Sequence, residues 1–253
     1  MNENNDFDTA KQVLDKYLAV LVRRERAPAF VIDPAFSDVM MELMRLTLEA
    51  NENISLTTIT EPEEFVRLHI LDSLSCVGLP ELELAQSVID VGCGSGFPSL
   101  PLAALYPEKR FFLLDSLRKR IEFVTFAAKE LRFFNVSALH SRAEKSGQDL
   151  FLREQFDLSL CRAVGKLSQI LEYSLPFVRI GGSGFFYKTI RAEGEIENSL
   201  LARELLGGSP DVRVFTYTDI LPGRAHAIYI VNKVNPTPGT YPRREGIPAK
   251  VPL

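Results

Sequence analysis

The chain has 253 residues, of which 46% are hydrophobic and 25% are charged, enough to bury the core of one large domain with an attachment. No run approaches the roughly 18 apolar residues that span a bilayer, and the acidic, polar start MNENNDFDTAKQ does not resemble a secretory signal. We therefore expect a cytoplasmic protein that does not enter a membrane. The net charge of −4 argues against binding to nucleic acid through an overall excess of positive charge.

The three cysteines, Cys76, Cys93 and Cys161, are odd in number and widely spaced, and no two of them form a CxxC pair. We therefore expect reduced thiols, with neither a disulfide framework nor a metal site. Basic residues form local clusters, which solvated helix faces and tails also produce. The clusters are Arg23, Arg24 and Arg26, then Arg118, Lys119 and Arg120, and finally Arg243, Arg244 and Lys250.

The first part of the chain shows helical patterns without a strand signal. Apolar residues recur at helical spacing in VLDKYLAVL, and Asp33 is placed to cap a second helix through FSDVMMELM. Thr60 and Glu63 have the spacing of a capping box, which predicts the start of a third helix through FVRLHILDSL. We predict a helical N-terminal extension over residues 1–82.

Short apolar runs alternate with amphipathic stretches over residues 83–234. SVIDVG, RFFLLD, NVSAL, FDLSLC and GSGFFYK are predicted strands, and helices are predicted near 97–106, 117–132, 142–151 and 167–179. Such alternation is typical of an α/β fold with a parallel sheet. The runs DVRVFTYT and AHAIYIVN are joined only by DILPGR, which is too short for a crossover helix, so they should form an antiparallel hairpin.

The last segment, residues 235–253, has the proline-rich sequence NPTPGTYPRREGIPAKVPL. Proline has no backbone N–H and disfavours helix in the residue before it. We therefore predict a C-terminal tail that lies extended on the surface or is disordered.

A glycine-rich loop follows the first predicted strand in VIDVGCGSGFPSLPL, where Asp90 precedes Gly92, Gly94 and Gly96. In a wound sheet such a loop lets the backbone approach a ligand, and the next helix presents free N–H groups. The second strand ends at Asp115, where a carboxylate can accept hydrogen bonds from both hydroxyls of a ribose. The combination predicts a ligand that contains an adenosine-like nucleoside.

Two cofactors compete for this arrangement. Dinucleotide sites favour G-x-G-x-x-G, whereas the spacing here is G-x-G-x-G with an acid two residues before the first glycine. An acid suits a ligand that has no phosphate and carries a cationic amino-acid end, as S-adenosylmethionine does. The C-terminal hairpin also matches the Rossmann-like, seven-stranded and mostly parallel sheet of class I S-adenosylmethionine-dependent methyltransferases better than a dinucleotide-binding sheet.

Several blocks, from about Asn51 to the C-terminus, resemble the RsmG (GidB) family in order and spacing. They are HILDSL, DVGCGSGFPSLPLA, LLDSLRKRIEFV, SRAEK, CRAVGKLS, LPFVRIGG and the tail. The resemblance implies an enzyme that methylates guanine N7 in bacterial 16S ribosomal RNA, with S-adenosylmethionine as the methyl donor. The implied partner is 16S rRNA or the small ribosomal subunit. No extensive apolar interface is suggested, so we expect a monomer.

The resemblance also implies which residues form the site. The expected cofactor contacts, with Asp90 and Gly96 added from the loop pattern, are Gly92, Gly94, Phe97, Asp115, Ala143, Glu144 and Arg162. His69, Asp72 and Lys188, together with Arg162, fall in blocks that we expect around the guanine or its phosphates. Lys188 and Arg162 follow strands, where wound sheets bind ligands, although Lys188 could also be an edge residue and His69 with Asp72 a surface pair.

The chain departs from the family pattern at the possible RNA face. Where the family often has W-N-x-x-x-N-L-T, this chain has ANENISLT, in which Ala50 replaces the tryptophan and Ser55 replaces the second asparagine. Two alternatives therefore remain. One is a methyltransferase of the same fold that acts on a small metabolite, which the low net charge favours. The other is a non-catalytic ribosome-binding protein that keeps the cofactor fold, which these departures favour.

The sequence after the fourth strand gives information about the acceptor atom. Guanine N7 carries a free lone pair, so its methylation needs alignment and electrostatics and no base. The segment FDLSLCRAVGKL lacks the Asn/Asp-Pro-Pro-aromatic element of enzymes that methylate exocyclic amines, which favours a ring nitrogen. Cys161 at this strand end could serve as a nucleophile for cytosine C5, but a buried small hydrophobe is the more common role and no Pro-Cys pair is present.

Overall fold

The computed structural model describes residues 3–23, 33, 35–162, 165–189, 194–218 and 226–253. Arg24, Arg26 and the DILPGR connection lie outside them. Seven strands form one sheet. They are β1 Ser87–Val91, β2 Arg110–Asp115, β3 Val136–His140, β4 Phe156–Arg162, β5 Val178–Thr189, β6 Arg213–Tyr217 and β7 His226–Asn232.

The strand order is β3-β2-β1-β4-β5-β7-β6. The first five strands pair in parallel, and β7 pairs antiparallel with both β5 and β6. Strand β1 is buried at every position, as expected for a central strand covered on both faces. The α/β class, the seven-stranded sheet and the antiparallel C-terminal strands are therefore confirmed.

Helices cover the sheet and form the N-terminal extension. They are α1 Glu3–Arg23, α2 Phe36–Asn51, α3 with the successive segments Pro62–Phe65, Val66–Leu71 and Asp72–Leu74, α4 Pro80–Leu84, α5 Ser99–Leu105, α6 Arg118–Glu130, α7 Ala143–Ser146, α8 Leu167–Ser174, α9 Leu200–Leu205 and α10 Ile247–Lys250. The middle segment of α3 is a π-helix. The four helices predicted between the parallel strands are present, and α7 is much shorter than expected.

The start of α3 differs from the predicted capping box. The cap is Glu61, whose carboxylate accepts from the backbone N–H groups of Glu63 and Glu64, at 3.0 and 2.6 Å. Pro62 then occupies the first helical position, where its missing N–H costs nothing. The pairing of Thr60 with Glu63 was therefore wrong, because Glu61 caps the helix that Pro62 begins. Asp33 does accept a hydrogen bond ahead of α2, from the Ala35 N–H at 2.7 Å.

The N-terminal extension and the sheet share one hydrophobic core. Leu14 of α1, Met40 of α2 and Phe65 of α3 are fully buried in the same cluster as Val88 and Leu113 of the sheet. Each side chain of this size that leaves water stabilises the fold by about 1.5 to 3 kcal/mol. The extension is thus packed onto the sheet, and α3 is held near the carboxyl ends of the parallel strands, since it contacts Arg162 at the end of β4.

The tail lies on the surface of the domain, as one of the two predicted alternatives had it, but it turns and contains the short helix α10 rather than being extended throughout. Lys233 is buried, and its Nζ donates to the Leu175 carbonyl at 2.8 Å and to the Thr237 hydroxyl. The Arg153 guanidinium donates to the carbonyls of Thr237 and Tyr241, at 2.6 and 2.8 Å. The proline-rich tail has fewer N–H groups of its own to pair with its carbonyls, and the Arg153 side chain donates to them from the α/β domain.

Candidate active site

The glycine-rich loop runs from β1 into α5 and is anchored on β2. The N–H groups of Gly92 and Cys93 donate to the Leu114 carbonyl, at 2.8 and 3.1 Å. Gly92, Gly94 and Gly96 all have positive φ, the left-handed region that other residues avoid. The loop therefore folds back over the end of β2 and brings its backbone beside Asp115.

Gly94 and Gly96 differ in why a larger residue would be unfavourable, and measurements of stability can distinguish the two reasons. A Cβ on Gly96, at φ +91°, would lie 2.4 Å from Leu100 Cδ1, whereas a Cβ on Gly94, at φ +57°, meets nothing within 4 Å. We expect Gly96→Ala to lower the free energy of unfolding by about 3 kcal/mol and Gly94→Ala by about 1 kcal/mol. Urea unfolding of both variants checks this, and equal losses would contradict it.

A cleft of about 500 Å³ opens where the parallel strands end, the usual ligand position in wound sheets. Eight of the residues predicted for the site line it: His69, Gly92, Gly94, Phe97, Asp115, Ala143, Glu144 and Arg162. Four predicted residues do not: Asp72, Asp90, Gly96 and Lys188. The structure therefore brings together the glycine-rich loop, Asp115, the SRAEK block and Arg162.

Asp115 lines the cleft at the end of β2. Its Oδ2 accepts from the Gly94 N–H at 2.9 Å, and its Oδ1 accepts from the Leu117 N–H at 2.8 Å. Arg120 Nη1 lies 3.6 Å from Oδ2. An ionised carboxylate has about four acceptor positions, so two protein N–H donors leave room for two hydroxyl donors of a ligand. The loop thus holds Asp115 in a fixed orientation toward the cleft.

Asp90 lies directly behind the loop. It is buried, its Oδ2 accepts from the Ser99 hydroxyl at 2.7 Å, and its Oδ1 has no hydrogen-bond partner among the described residues. Burial raises the pKa of Asp90 to about 7, against the opposing effects of Ser99 and the Arg162 charge. A buried acceptor without a donor favours a nearby cation, because an unpaired buried polar group is costly.

Stability should depend on pH through Asp90. Between its ordinary pKa of 3.8 and about 7, the folded state holds a proton that the unfolded state has lost, so rising pH destabilises the fold. We expect the free energy of unfolding of Asp90→Asn, relative to that of the unchanged protein, to rise by up to about 1.4 kcal/mol per pH unit in this window and to level off above it. Urea unfolding of both proteins from pH 4.5 to 8.5 checks this. A difference that does not change with pH would contradict it.

Arg162, at the end of β4, joins the helical extension to the cleft. Its Nη1 donates to the Leu68 carbonyl and to Asp72 Oδ2, both at 3.1 Å, and its Nη2 lies 3.2 Å from His69 Nδ1. The Arg162 side chain is 15% exposed and that of Asp72 is 7% exposed, so the pair is largely shielded from water. Asp72 is therefore a support for Arg162 rather than part of the cleft wall.

The Asp72 carboxylate also connects to the C-terminal hairpin. Its Oδ1 accepts from the Tyr217 hydroxyl at 2.7 Å and lies 3.3 Å from His226 Nδ1. Burial raises the pKa of Asp72, but the His226 hydrogen bond and the Arg162 charge outweigh it, so the net shift is downward. An ionised Asp72 thus links α3, β4, β6 and β7 behind the cleft.

His69 is held as a neutral ring. A guanidinium can only donate, so His69 Nδ1 accepts from Arg162 and the proton lies on Nε2, which donates to the Thr57 hydroxyl at 2.8 Å. Burial and the Arg162 charge lower the pKa of His69 to about 3. The ring stacks on Phe97, with centroids 5.0 Å apart. His69 therefore shapes the cleft and is a weak base at neutral pH.

Lys188 lies away from the cleft wall, at the end of β5. Its Nζ donates to the Gly165 carbonyl at 2.6 Å and to Glu195 Oε1 at 2.5 Å. The same Glu195 oxygen accepts from the Leu167 N–H at the start of α8. These contacts describe a lysine that fastens the segment before α8 to the sheet.

Sequence reasoning missed several residues of the cleft. They are Leu56, Ser95, Ser116, Ser141, Arg142, Gln169, Tyr173 and Ala249, whereas Arg120 belongs to a basic cluster already noted in the sequence. Ser116 and Ser141 each follow a strand directly, so the rule that placed Asp115 and Arg162 would also have found them. Gln169 and Tyr173 are four apart on α8 and share one face, with the Gln169 amide 3.1 Å from the Tyr173 hydroxyl. Ala249 carries no signal in the sequence.

The three cysteines are free and buried. Burial raises the pKa of Cys161 to about 12, so its thiol stays protonated at neutral pH and is unsuited to attack cytosine C5. Among the described residues no group of three or more His, Cys, Asp or Glu side chains is placed to hold a metal ion. Within the same ranges, no helix has the length and apolarity needed to cross a membrane.

The cleft fits S-adenosylmethionine. Asp115 has free acceptor positions for ribose hydroxyls, Gly94 and Ser95 line the cleft, and Asp90 behind the loop has an unpaired buried Oδ1. The mostly parallel seven-stranded sheet with an antiparallel end and this cleft together define a class I S-adenosylmethionine-dependent methyltransferase. A putative O-methyltransferase from Klebsiella pneumoniae shares the fold, with a TM-score of 0.52 at 13% identity over 86% of this chain and 97% of that chain.

The family within this class follows from the sequence comparisons. Residues 37–211 match the family model described as rRNA small subunit methyltransferase G. Proteins named ribosomal RNA small subunit methyltransferase G from Alkaliphilus metalliredigens and Thermoanaerobacter pseudethanolicus are 39% and 42% identical to the chain. The first match covers 88% of this chain and 93% of the relative, and the second covers 82% and 86%. The chain belongs to the rRNA small subunit methyltransferase G family, also called RsmG or GidB.

Proposed function

We propose that this protein transfers the methyl group of S-adenosylmethionine to guanine N7 in 16S ribosomal RNA of the small subunit. The observation that supports the proposal best is the match to family members over most of their length and of this chain, in a protein whose cleft keeps Asp115 beside the glycine loop. We also propose that it acts as a monomer in the cytoplasm, where small ribosomal subunits are assembled.

The chemistry of guanine N7 suits the groups in the cleft. The cofactor supplies a methyl group activated by a sulfonium charge, and N7 offers a lone pair, so no proton has to be removed before transfer. The protein therefore has to align the two reactants and shield them from water. His69 agrees with this role, because its Nδ1 lone pair is engaged by Arg162 and its pKa is about 3.

The residues divide into two groups in this proposal. Asp115, Ala143 and Glu144, with Gly92, Gly94 and Phe97, hold the cofactor. Asp90 behind the loop ionises when the cationic end of the cofactor binds nearby, and Gly96 permits the turn. Arg162, His69 and the supporting Asp72 hold the side of the cleft from which the guanine enters. Lys188 acts through the segment before α8, which it fastens to the sheet.

The transfer of radiolabel from S-adenosylmethionine tests the proposal against both alternatives. The acceptors are unmodified small subunits, protein-free 16S rRNA, large subunits and a filtrate of small metabolites. We expect label in small subunits or 16S rRNA and none in large subunits. Label only in the filtrate would replace the proposal with a metabolite methyltransferase. Measured cofactor binding without any transfer would replace it with a non-catalytic ribosome-binding protein.

A further inference from the structure

The C-terminal tail reaches the cleft through a buried ion pair. The Arg243 backbone N–H and guanidinium make four hydrogen bonds to the Glu172 carboxylate, at 2.6 to 3.1 Å. Glu172 is fully buried, and it lies on α8, the helix that also presents Gln169 and Tyr173 to the cleft. Charge-assisted pairs of this bidentate kind fix geometry as well as adding energy. The tail thus holds the helix that forms one wall of the cleft.

The tail also binds the SRAEK segment at the start of α7. The Gly246 N–H donates to Glu144 Oε1 at 3.0 Å, and Glu245 pairs with Arg142 at 3.0 Å. Arg142 and Glu144 both line the cleft. One short segment of tail therefore bridges α8 and α7, two walls that nothing in the sequence pattern connects.

The tail itself forms part of the cleft wall, because Ala249 lines the cleft together with Ala143 and Glu144. Arg243 Nη2 donates to the Val251 carbonyl at 2.9 Å, which folds the end of the tail back toward the ion pair. Gly246 is bonded to Glu144 and Val251 to Arg243, so the chain is held on both sides of Ala249. The cleft therefore has a wall at this end that the sheet and its covering helices do not supply.

We propose that the tail segment Arg243–Ala249 is a nucleoside-binding element that closes the adenosine end of the S-adenosylmethionine cleft, with the Arg243–Glu172 pair as its clamp. This inference rests on the proposed function for the identity of the cofactor. Tail docking and cofactor binding then stabilise each other, because coupling between two equilibria is reciprocal. The tail acts on the nucleoside end and not on the amino-acid end of the ligand.

Calorimetric titration with S-adenosylmethionine and with 5′-methylthioadenosine, which lacks the amino-acid end, tests the proposal. Arg243→Ala removes the ion pair with Glu172. Ala249→Trp places a large side chain in the cleft and leaves that ion pair intact, so one variant remains informative if the other folds poorly. The control is Arg179→Ala, the same charge change at an exposed arginine outside the tail, at the end of the sheet opposite the cleft. We expect both test variants to raise Kd about tenfold for both ligands, which is a typical size for coupling between two sites. The control should keep Kd within about twofold of the value for the unchanged protein.

A second readout follows the tail directly. Bound 5′-methylthioadenosine should slow tryptic cleavage after Arg244 and Lys250 in the unchanged protein but not in Arg243→Ala. Wild-type affinity in both test variants, or cleavage that the ligand leaves unaffected, would overturn the inference alone. Absence of S-adenosylmethionine binding by the unchanged protein would instead overturn the proposed function, so the two failures are distinguishable.

Discussion

Asp115→Ala is expected to weaken S-adenosylmethionine binding at least about 100-fold. The carboxylate has two acceptor positions left for ribose hydroxyls, and a hydrogen bond to a charged group contributes about 1.5 to 3 kcal/mol, so losing two of them removes about 3 kcal/mol or more. The same change frees the Gly94 and Leu117 N–H groups, which loosens the loop. Calorimetric titration of the folded variant measures the loss.

Two further variants make the Asp115 result specific. Asp115→Asn keeps the shape and one acceptor oxygen, and should fall between the unchanged protein and Asp115→Ala. Asp149→Ala removes an exposed acid that also accepts a nearby backbone N–H, from Phe151 at 2.9 Å, and should bind as the unchanged protein does. An Asp115→Ala protein that binds the cofactor within threefold of normal would remove Asp115 from the site.

Arg162→Ala is expected to lower kcat about 100-fold and the free energy of unfolding by about 3 kcal/mol. Among the described residues, its loss leaves the buried Asp72 charge with Tyr217 and His226 as partners, and breaking a buried pair by removing one partner costs about 3 to 5 kcal/mol. It also frees His69, and a displacement of about 1 Å near reacting atoms can cost about 100-fold in rate. Single-turnover transfer and urea unfolding measure the two effects.

The chain offers a matched control for Arg162 on the same pair of strands. Arg179, at the start of β5, pairs with Asp157 in β4 at 2.6 Å, at the opposite end of the sheet from the cleft. Its side chain is 53% exposed, and pairs of this kind contribute about 0 to 1 kcal/mol. Arg179→Ala should leave kcat unchanged. If both arginine variants lost activity equally, the effect of Arg162 would be one of general stability.

The sheet could be predicted because each of its signals is local. Apolar runs alternate with amphipathic helices, and the six residues of DILPGR leave no room for a crossover. Asp115 and Arg162 could be assigned to the site for a related reason, since parallel strands bring their carboxyl ends to one edge. The same rule also predicts a place in the cleft for Lys188, which does not line it. A position at a strand end fixes the backbone of a residue but not the partners of its side chain, which for Lys188 are Gly165 and Glu195.

Features that depend on distant partners could not be predicted. The docked tail is held by Arg153 and Glu172, which lie about 70 to 90 positions away in sequence and carry no motif that marks them. The proline-rich composition shows that the tail lacks backbone N–H groups at its prolines, but it does not show which distant side chains bond to the tail carbonyls. Gly96 shows a related limit: a loop glycine can be required for packing, here against Leu100, as well as for close approach to a ligand.

The most direct test of the central claim is identification of the methylated nucleoside. Unmodified small subunits are incubated with S-adenosylmethionine and either the unchanged protein or Asp115→Ala, and the 16S rRNA is digested and analysed by mass spectrometry against nucleoside standards. We predict 7-methylguanosine at a single position with the unchanged protein and none with the variant. A methyl group on another atom, or no modified nucleoside despite cofactor binding, would contradict methylation of guanine N7.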